Sequence, residues 1–421
     1  MTLSENNLSQ IQLIPKEGIA GIKLFQSAYS VISQLYKNGR LSQPVQFAYD
    51  PDNVNSNIIV IELPKLGIRL LCNATDQSIR AIEVINWEIS SIVHNSTIIN
   101  RHHAAPTFRQ IYNHIIGPTY PGKIKQLRDQ SIVFILSYPG MSFQFPCSDI
   151  IQSSPKGINS DPIDVVHMLS AKNGPKCSAM AVHPYNTWET CCENIFASND
   201  FFITPRFVSP DSEFICVEIQ RHTKSGNLTG LIFRFTQKEF TITLGESHVL
   251  DLLQVLGPPS SSSPPSPSPI RVRTFSSRDD PALFQKSFFF LNYPAYGVDI
   301  LIGANQLVSK VLLHGNIPGS LNFMRNHRCR WTCRSYNVFS ESDFGEFLEK
   351  MSLDPKFSGP ILLNRSVLDS PDSNIEIIGE ESSRDDFLSK YDSSQLYSYR
   401  NLIFEVISNT HIACLTVVSA T

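Results

Sequence analysis

A helical stretch that stops at Gly or Pro and is followed, after a variable loop, by short β segments recurs along this chain, and any fold must bury one face of each such helix and strand set. The third copy shows it most fully. Ser247 precedes a helix carrying Val249, Leu250, Leu252, Leu253 and Leu256, which Gly257-Pro258 ends. Strands are predicted at Ser287–Tyr293, Val298–Ile302 and Leu307–Leu313, turning at Pro294-Ala295-Tyr296-Gly297 and Gly303-Ala304-Asn305-Gln306. The first copy repeats that order: Leu24, Ala28, Val31 and Leu35 share a helical face, and strands at Asn57–Leu63, Ile68–Cys72 and Ser78–Ile85 follow, with Pro64-Lys65-Leu66-Gly67 in the place of Pro294 to Gly297. The second copy starts at Pro106, sets Phe108, Ile111, Tyr112 and Ile115 on one face and has a strand at Ile132–Tyr138. The fourth, looser copy has a helix through Phe344, Phe347, Leu348 and Met351 and closing strands Leu402–Ile407 and His411–Val418.

A helix with one apolar face packed on a sheet with one apolar face makes a two-layer α+β core, so the expected class is α+β, built of repeated αβββ modules. The copies are unequally spaced, which disfavours a regular solenoid. Residues 1–150 are expected to hold two such units, 151–245 a β-rich middle segment without a clear helix, and 246–421 two further units. Two stretches are expected to be disordered. Residues 258–286 open on a run of only Pro and Ser, and 366–398 mix Ser, Asp, Glu and Asn with few apolar residues; both suit phosphorylation or docking, against a plainer reading as length-variable loops.

The chain has 35 Lys and Arg against 38 Asp and Glu, a net charge of −3, which argues against nucleic acid as a partner. Every apolar run is broken well short of the roughly 18 residues a membrane span needs. The opening Met1-Thr2-Leu3-Ser4-Glu5 lacks the pattern of a secretory signal, so a cytoplasmic location is expected and the nine cysteines read as buried thiols. No dinucleotide-binding loop, phosphate-cradling loop, GxSxG elbow or HExxH helix occurs, so no enzyme activity, cofactor or catalytic residue is expected.

One cluster carries concentrated charge: Arg325, then His327-Arg328-Cys329-Arg330-Trp331-Thr332-Cys333-Arg334. Its cysteines and histidine offer three zinc ligands where a structural site takes four, so no metal is assigned. Guanidinium groups match phosphate and carboxylate geometry, and strand alternation would place Arg328, Arg330 and Arg334 on one face with Cys329, Trp331 and Cys333 on the other. Arg325, Arg328, Arg330 and Arg334 are therefore the candidate residues for a phosphate or an acidic partner, against a plainer reading as a solvated strand face.

Motifs in order along the chain carry a resemblance. Tyr296-Gly297-Val298-Asp299-Ile300-Leu301-Ile302, Lys310-Val311-Leu312-Leu313-His314, Asn316, Pro318-Gly319, Asn322-Phe323 and Arg328-Cys329 resemble the signature of the phagosome assembly factor 1 family, in which Gly297, Asp299, His314, Asn316, Pro318, Gly319 and Cys329 are the motif positions. Ala105-Pro106-Thr107, Gly140-Met141-Ser142-Phe143-Gln144-Phe145 and Leu402-Ile403-Phe404-Glu405-Val406 extend the likeness, which is weakest over 150–245. The resemblance implies a non-enzymatic autophagy adaptor that complexes with a WD-repeat β-propeller protein of the breast-carcinoma-amplified-sequence 3 type at the pre-autophagosomal structure, the propeller making most of the phosphoinositide contact. A direct phosphoinositide binder or a Golgi trafficking factor is the alternative. The Pro/Ser tract and the acidic, Ser-rich insertion depart from the family pattern.

Overall fold

The computed structural model describes residues 10–419 apart from 40–44, 52, 56, 120–121, 128, 154–160, 172–173, 196–213, 221–228, 264–287, 321, 353, 355, 365–392 and 408–409. The chain divides into two compact units, Met1–Ile203 and Thr204–Thr421. It is mixed and strand-rich, with four sheets, consistent with an α+β class.

In the first unit the order is β1 (Gln10–Ile14), β2 (Gly18–Ile19), β3 (Ile22–Lys23), α1 (Ala28–Lys37), β4 (Gln46–Ala48), β5 (Ile58–Leu63), β6 (Ile68–Asn73), β7 (Ile79–Val84), β8 (Ser91–His94), β9 (Thr97–Ile98), α2 (Phe108–Gln110) with a π turn at Ile111–Ile115, β10 (Lys123–Gln126), β11 (Ile132–Tyr138), β12 (Met141–Pro146), α3 (Ser148–Ser153), α4 (Pro162–Leu169), β13 (Ala179–Val182) and α5 (Trp188–Ile195). The second unit runs β14 (Phe214–Gln220), β15 (Gly230–Phe235), β16 (Glu239–Thr243), α6 (Val249–Leu256), β17 (Ser261–Ser263), β18 (Phe289–Tyr293), β19 (Val298–Ile302), β20 (Val308–His314), β21 (Trp331–Cys333), β22 (Val338–Phe339), α7 (Phe344–Met351), β23 (Phe357–Asn364), β24 (Ser393–Tyr399), β25 (Leu402–Ile407) and β26 (His411–Val418).

Each unit pairs a five-stranded with an eight-stranded sheet, and the strand orders coincide. The first has β3-β2-β1-β8-β9 and β10-β11-β12-β13-β7-β6-β5-β4, the second β16-β15-β14-β21-β22 and β23-β24-β25-β26-β20-β19-β18-β17. Pairing is antiparallel except at β1 with β8 and β14 with β21, again equivalent positions. The element that recurs is thus larger than a helix with three strands: a plan of thirteen strands laid down twice. The predicted meanders are β5-β6-β7 and β18-β19-β20, each entered by the same device. Gly67 and Gly297 take φ of +67° and +68°, and a Cβ would lie 2.5 Å from the Asn86 oxygen in one and 2.2 Å from the His327 oxygen in the other, so only glycine fits either place.

Helix formation follows local chemistry. Ser27 caps α1, accepting from the Ser30 N–H, and Ala28, Val31 and Leu35 turn inward. Thr107 and Gln110 form a capping box on α2, so Pro106 lies just before the cap and not inside the helix. His248, not Ser247, caps α6, its ring accepting from the Leu250 N–H, and Gly257 ends the helix. Val249, Leu252 and Leu256 of α6 pack with Phe344 and Phe347 of α7 against inward residues such as Val298, Ile300, Leu313, Phe404 and Leu415. Burying each such side chain is worth about 1.5–3 kcal/mol, which outweighs the weak intrinsic stability of helices this short. Leu250 and Leu253, expected on the same apolar face, are 64% and 36% exposed.

Three other stretches differ in part from expectation. The segment 151–245 is divided between the units and contains α4 and α5 as well as β13 to β16; Asp161 caps α4 with Pro162 as its first residue, and Val165, Val166 and Leu169 are buried. Of the stretch expected to be disordered at 258–286, Ser261–Ser263 forms an edge strand, and 264–286 lies outside the described residues. Of 366–398, residues 393–398 belong to β24 and the remainder lies outside the described residues. No helix among the described residues is long and apolar enough to cross a membrane.

Candidate functional site

Three neighbouring strands of the second unit bring the motif residues together. Asn292 on β18 and Asp299 on β19 stand opposite one another in register, and Asn292 Nδ2 donates to Asp299 Oδ1 at 2.8 Å. The other carboxylate oxygen, Oδ2, lies 2.7 Å from His314 Nε2 at the end of β20. On the far side of the ring, Cys414 of β26 pairs with His314 in register, its Sγ 4.0 Å from Nδ1. At the outer end of the chain of contacts, the hydroxyls of Ser261 and Ser263 both donate to Asn292 Oδ1, at 3.2 and 3.1 Å.

The His314 backbone is equally committed. Its N–H donates to the Gly297 oxygen and its carbonyl accepts from the Cys329 N–H at 2.8 Å, so the chain that leaves the sheet after β20 returns to the same residue. Within that loop Asn316 adopts φ +47°, and its side-chain oxygen accepts from the Met324 N–H at 2.6 Å. Gly297, Asp299, His314, Asn316 and Cys329 are thus parts of one loop closure. Pro318 and Gly319 lie on the loop itself, as the two central residues of the turn in which the Ser320 N–H donates to the Ile317 oxygen.

Burial sets the electrostatics. Burial by itself pulls the His314 pKa down, but the neighbouring Cys414 and the bonded Asp299 carboxylate outweigh it and raise the pKa from 6.5 to about 10. The ring is a buried imidazolium at neutral pH, paired with a carboxylate. Burial also pushes the Cys329 thiol far above its usual range. Thiol, imidazole and carboxylate follow one another in the order used by cysteine hydrolases, yet His314 is only 5% and Cys414 only 7% exposed, so a substrate has no approach. The arrangement is suited to holding a loop. Among the described residues no group of three or more His, Cys, Asp and Glu could hold a metal ion.

The arginine cluster is not the shared solvent face that alternation predicts. Only Trp331–Cys333 is strand, and Arg334 already opens a 3-10 turn. Cys329, Trp331 and Cys333 are buried as expected, but Arg328 is buried too, at 3% exposure. Arg330 Nε lies 3.2 Å from Glu341, and Arg334 Nε lies 3.3 Å from Glu218, which also holds Arg234 at 2.8 Å. Burial alone would raise the Glu218 pKa; hydrogen bonds from Gln220 and Arg234 and the charge of Arg334 hold it below the usual value. Arg325 is exposed.

Two features of the first unit lie outside the candidate residues read from the sequence. His183, fully buried, lies 2.8 Å from Ser142 Oγ, and burial drops its pKa to about 4. Ser142 lies in one of the segments that carry the resemblance, but nothing in the sequence ties it to a histidine 41 residues away. A cleft of about 660 Å³ lies between β1–β3 and α1, lined by Ile11, Ile22, Val31, Leu35, Gln34 and Lys65 among others. Its lining mixes amides and aliphatic side chains without a convergent charge.

The family described as phagosome assembly factor 1 matches residues 19–418. A PHAF1 protein of Drosophila melanogaster is 26% identical over 413 residues, covering 95% of this chain and 90% of its own length. PHAF1 proteins of Caenorhabditis elegans and Arabidopsis thaliana are 24% and 23% identical, covering 79% and 96% of this chain and 80% and 92% of their own lengths. No solved structure matches.

Proposed function

Because the chain belongs to the phagosome assembly factor 1 family, we propose that it acts in autophagy as a non-enzymatic adaptor, joining a WD-repeat β-propeller protein of the breast-carcinoma-amplified-sequence 3 type and moving from the cytoplasm to the pre-autophagosomal structure. The family match across 19–418 is the observation that supports this reading, since it takes in both units of a scaffold that we read as built from helix-and-meander modules. The closed surroundings of His314 and Cys414 favour a structural over a catalytic use of that cluster. Membrane phosphoinositides are reached mostly through the propeller. Direct binding through the arginine cluster is the weaker reading, because Arg328 is buried and the charges of Arg330 and Arg334 are already met by Glu341 and Glu218.

Affinity purification of the tagged full chain from cells with autophagy induced, followed by mass spectrometry, tests the reading. A β-propeller protein recovered in near-equal amount is expected; its absence refutes the adaptor role, and Golgi coat or tether proteins in its place favour the trafficking alternative. Flotation with phosphoinositide vesicles separates the lipid readings. The isolated chain should stay in the bottom fraction, and its tight flotation would establish direct binding.

A further inference from the structure

The edge strand β17 consists of three serines, and it closes the eight-stranded sheet of the second unit on one side. Among the described residues it pairs with β18 alone, in the register Ser261↔Asn292, Ser262↔Leu291 and Ser263↔Phe290, supported by the Ser260 N–H donating to the Asn292 oxygen at 3.0 Å. No apolar side chain anchors it. Its side-chain hold is the pair of hydroxyls, Ser261 and Ser263, converging on Asn292 Oδ1. Asn292 in turn donates to Asp299, and Asp299 occupies His314. A three-residue edge strand held in this way opens at low cost. In the sequence Ser263 is followed by Pro264, the dipeptide that proline-directed serine kinases require, and of the Ser-Pro serines in this tract, Ser263, Ser266 and Ser268, Ser263 is the one that lies in a described strand.

We propose that Ser263 is a phosphorylation site for a proline-directed kinase, and that the phosphate releases β17 from β18. The γ-phosphoryl group of ATP passes to Ser263 Oγ: the new O–P bond forms as the bond from the γ-phosphorus to the β,γ-bridging oxygen breaks, the hydroxyl proton goes to the kinase base, and ADP leaves. The product cannot keep the native contact. Ser263 loses the proton it donated to Asn292 Oδ1 and gains about −1.5 to −2 charge. It then faces an amide oxygen, with the Asp299 carboxylate directly behind, and the cation of that hydrogen-bonded chain, His314, is already paired with Asp299. Like charge and lost donor act in the same direction, against pairing. Release bares the outer edge of β18, Phe289–Tyr293, while β18 stays paired with β19 on its other side.

The test uses the full chain, a purified proline-directed kinase and Mg-ATP, with tandem mass spectrometry to map phosphate and hydrogen–deuterium exchange to read β17 and β18. Phosphate on Ser263 and exchange at least tenfold faster across 260–263 and in the β18 amides that face β17 are expected, with Val298–Ile302 unchanged. The Ser263→Ala variant, treated identically and still carrying phosphate on Ser266 and Ser268, should show no such acceleration. The proposal is overturned if Ser266 and Ser268 are modified while Ser263 is not. Unchanged or slowed exchange in the chain phosphorylated at Ser263 overturns it equally, since that means the phosphate is accommodated in place.

Discussion

Replacing His314 by Gln keeps a hydrogen-bond donor near Asp299 but removes the charge, and the consequence has a definite sign. The folded state holds the His314 proton up to about pH 10, whereas the unfolded chain releases it near 6.5. Below pH 6.5 both states are protonated and the contribution of the pair is fully present. Between 6.5 and 10 the folded state binds more protons, so stability falls as pH rises, at up to ~1.4 kcal/mol per pH unit. The whole interval sets a ceiling of about 5 kcal/mol, a net figure in which the desolvation of the buried ring is already counted. The buried thiols of the same unit, Cys216 and Cys329, both raised by burial, add a fall of the same sign as unfolded cysteines ionise at about pH 8.5. In the window from pH 7 to 8 the histidine therefore dominates, the thiols adding only roughly a few tenths of a kcal/mol. Urea pulse proteolysis at the two pH values, reading fragments from 214–418 by mass spectrometry, should show wild type losing about 1 kcal/mol across that step and His314→Gln losing nearly none. Parallel losses in the two proteins would refute the buried ion pair.

His183 should act in the opposite direction: its pKa of about 4 means that the first unit loses stability as pH falls from 6.5 towards 4, by at most about 3 kcal/mol, and His183→Gln should flatten that loss in acid unfolding curves read on the first unit. Leu252→Asp, on the inward face of α6, should cost roughly 3 kcal/mol or more, whereas Leu253→Asp, at a site 36% exposed, should stay within about 1 kcal/mol; equal melting temperatures would contradict the helix orientation. Arg69→Ala breaks partly exposed ion pairs to Glu62 and Glu83 and should cost below about 1 kcal/mol, while Asp299→Ala strands a buried imidazolium and should cost about 3–5 kcal/mol in denaturant titrations.

The strands are the most legible part of the chain because their apolar periodicity is strong and their ends carry turn residues. Ile132–Tyr138, Val298–Ile302, Leu402–Ile407 and His411–Val418 form over the residues predicted. Helices α4 and α5 escape a reading by pattern for different reasons: α4 has its Asp161-Pro162 start inside a polar stretch, and α5 buries mainly Cys191 and Ile195, too few apolar positions to show a helical period. The thirteen-strand repeat is legible only in pieces, since β2, β3, β9 and β22 are two residues each and leave no pattern. At the motif, the residues are visible in the sequence but their roles are not. Asp299, His314 and Cys414 meet through strand register, His314 and Cys414 standing 100 positions apart, and sequence spacing does not carry that information. Arginine alternation fails because it assumes a strand beginning before Trp331 and takes no account of Glu218 and Glu341.

The duplication lets the motif be set beside its counterpart on an equivalent backbone. Counting from Gly67 and Gly297, the second residue on is Arg69 in one unit and Asp299 in the other, and across the sheet Glu62 stands where Asn292 does. A cation between acids has become an acid between an amide and an imidazolium. In the first unit that position is partly open to solvent, and its ion pairs cost little to lose. In the second it lies behind a loop that leaves the sheet at His314 and returns to it at Cys329, so the same register now fastens a fourteen-residue excursion, 315–328, to the sheet. Within 297–329, Gly297, Asp299, His314, Asn316 and Cys329 are each spent on an internal contact that closes that loop. A side chain occupied in this way is a poor choice for recognising another protein. The places where the two plans diverge are better ones: the α3–α4 excursion and the α5 cover over Leu71 and Ala81 in the first unit, and the loop 315–328 in the second. A scaffold repeated twice can distinguish partners only through what its two halves do not share.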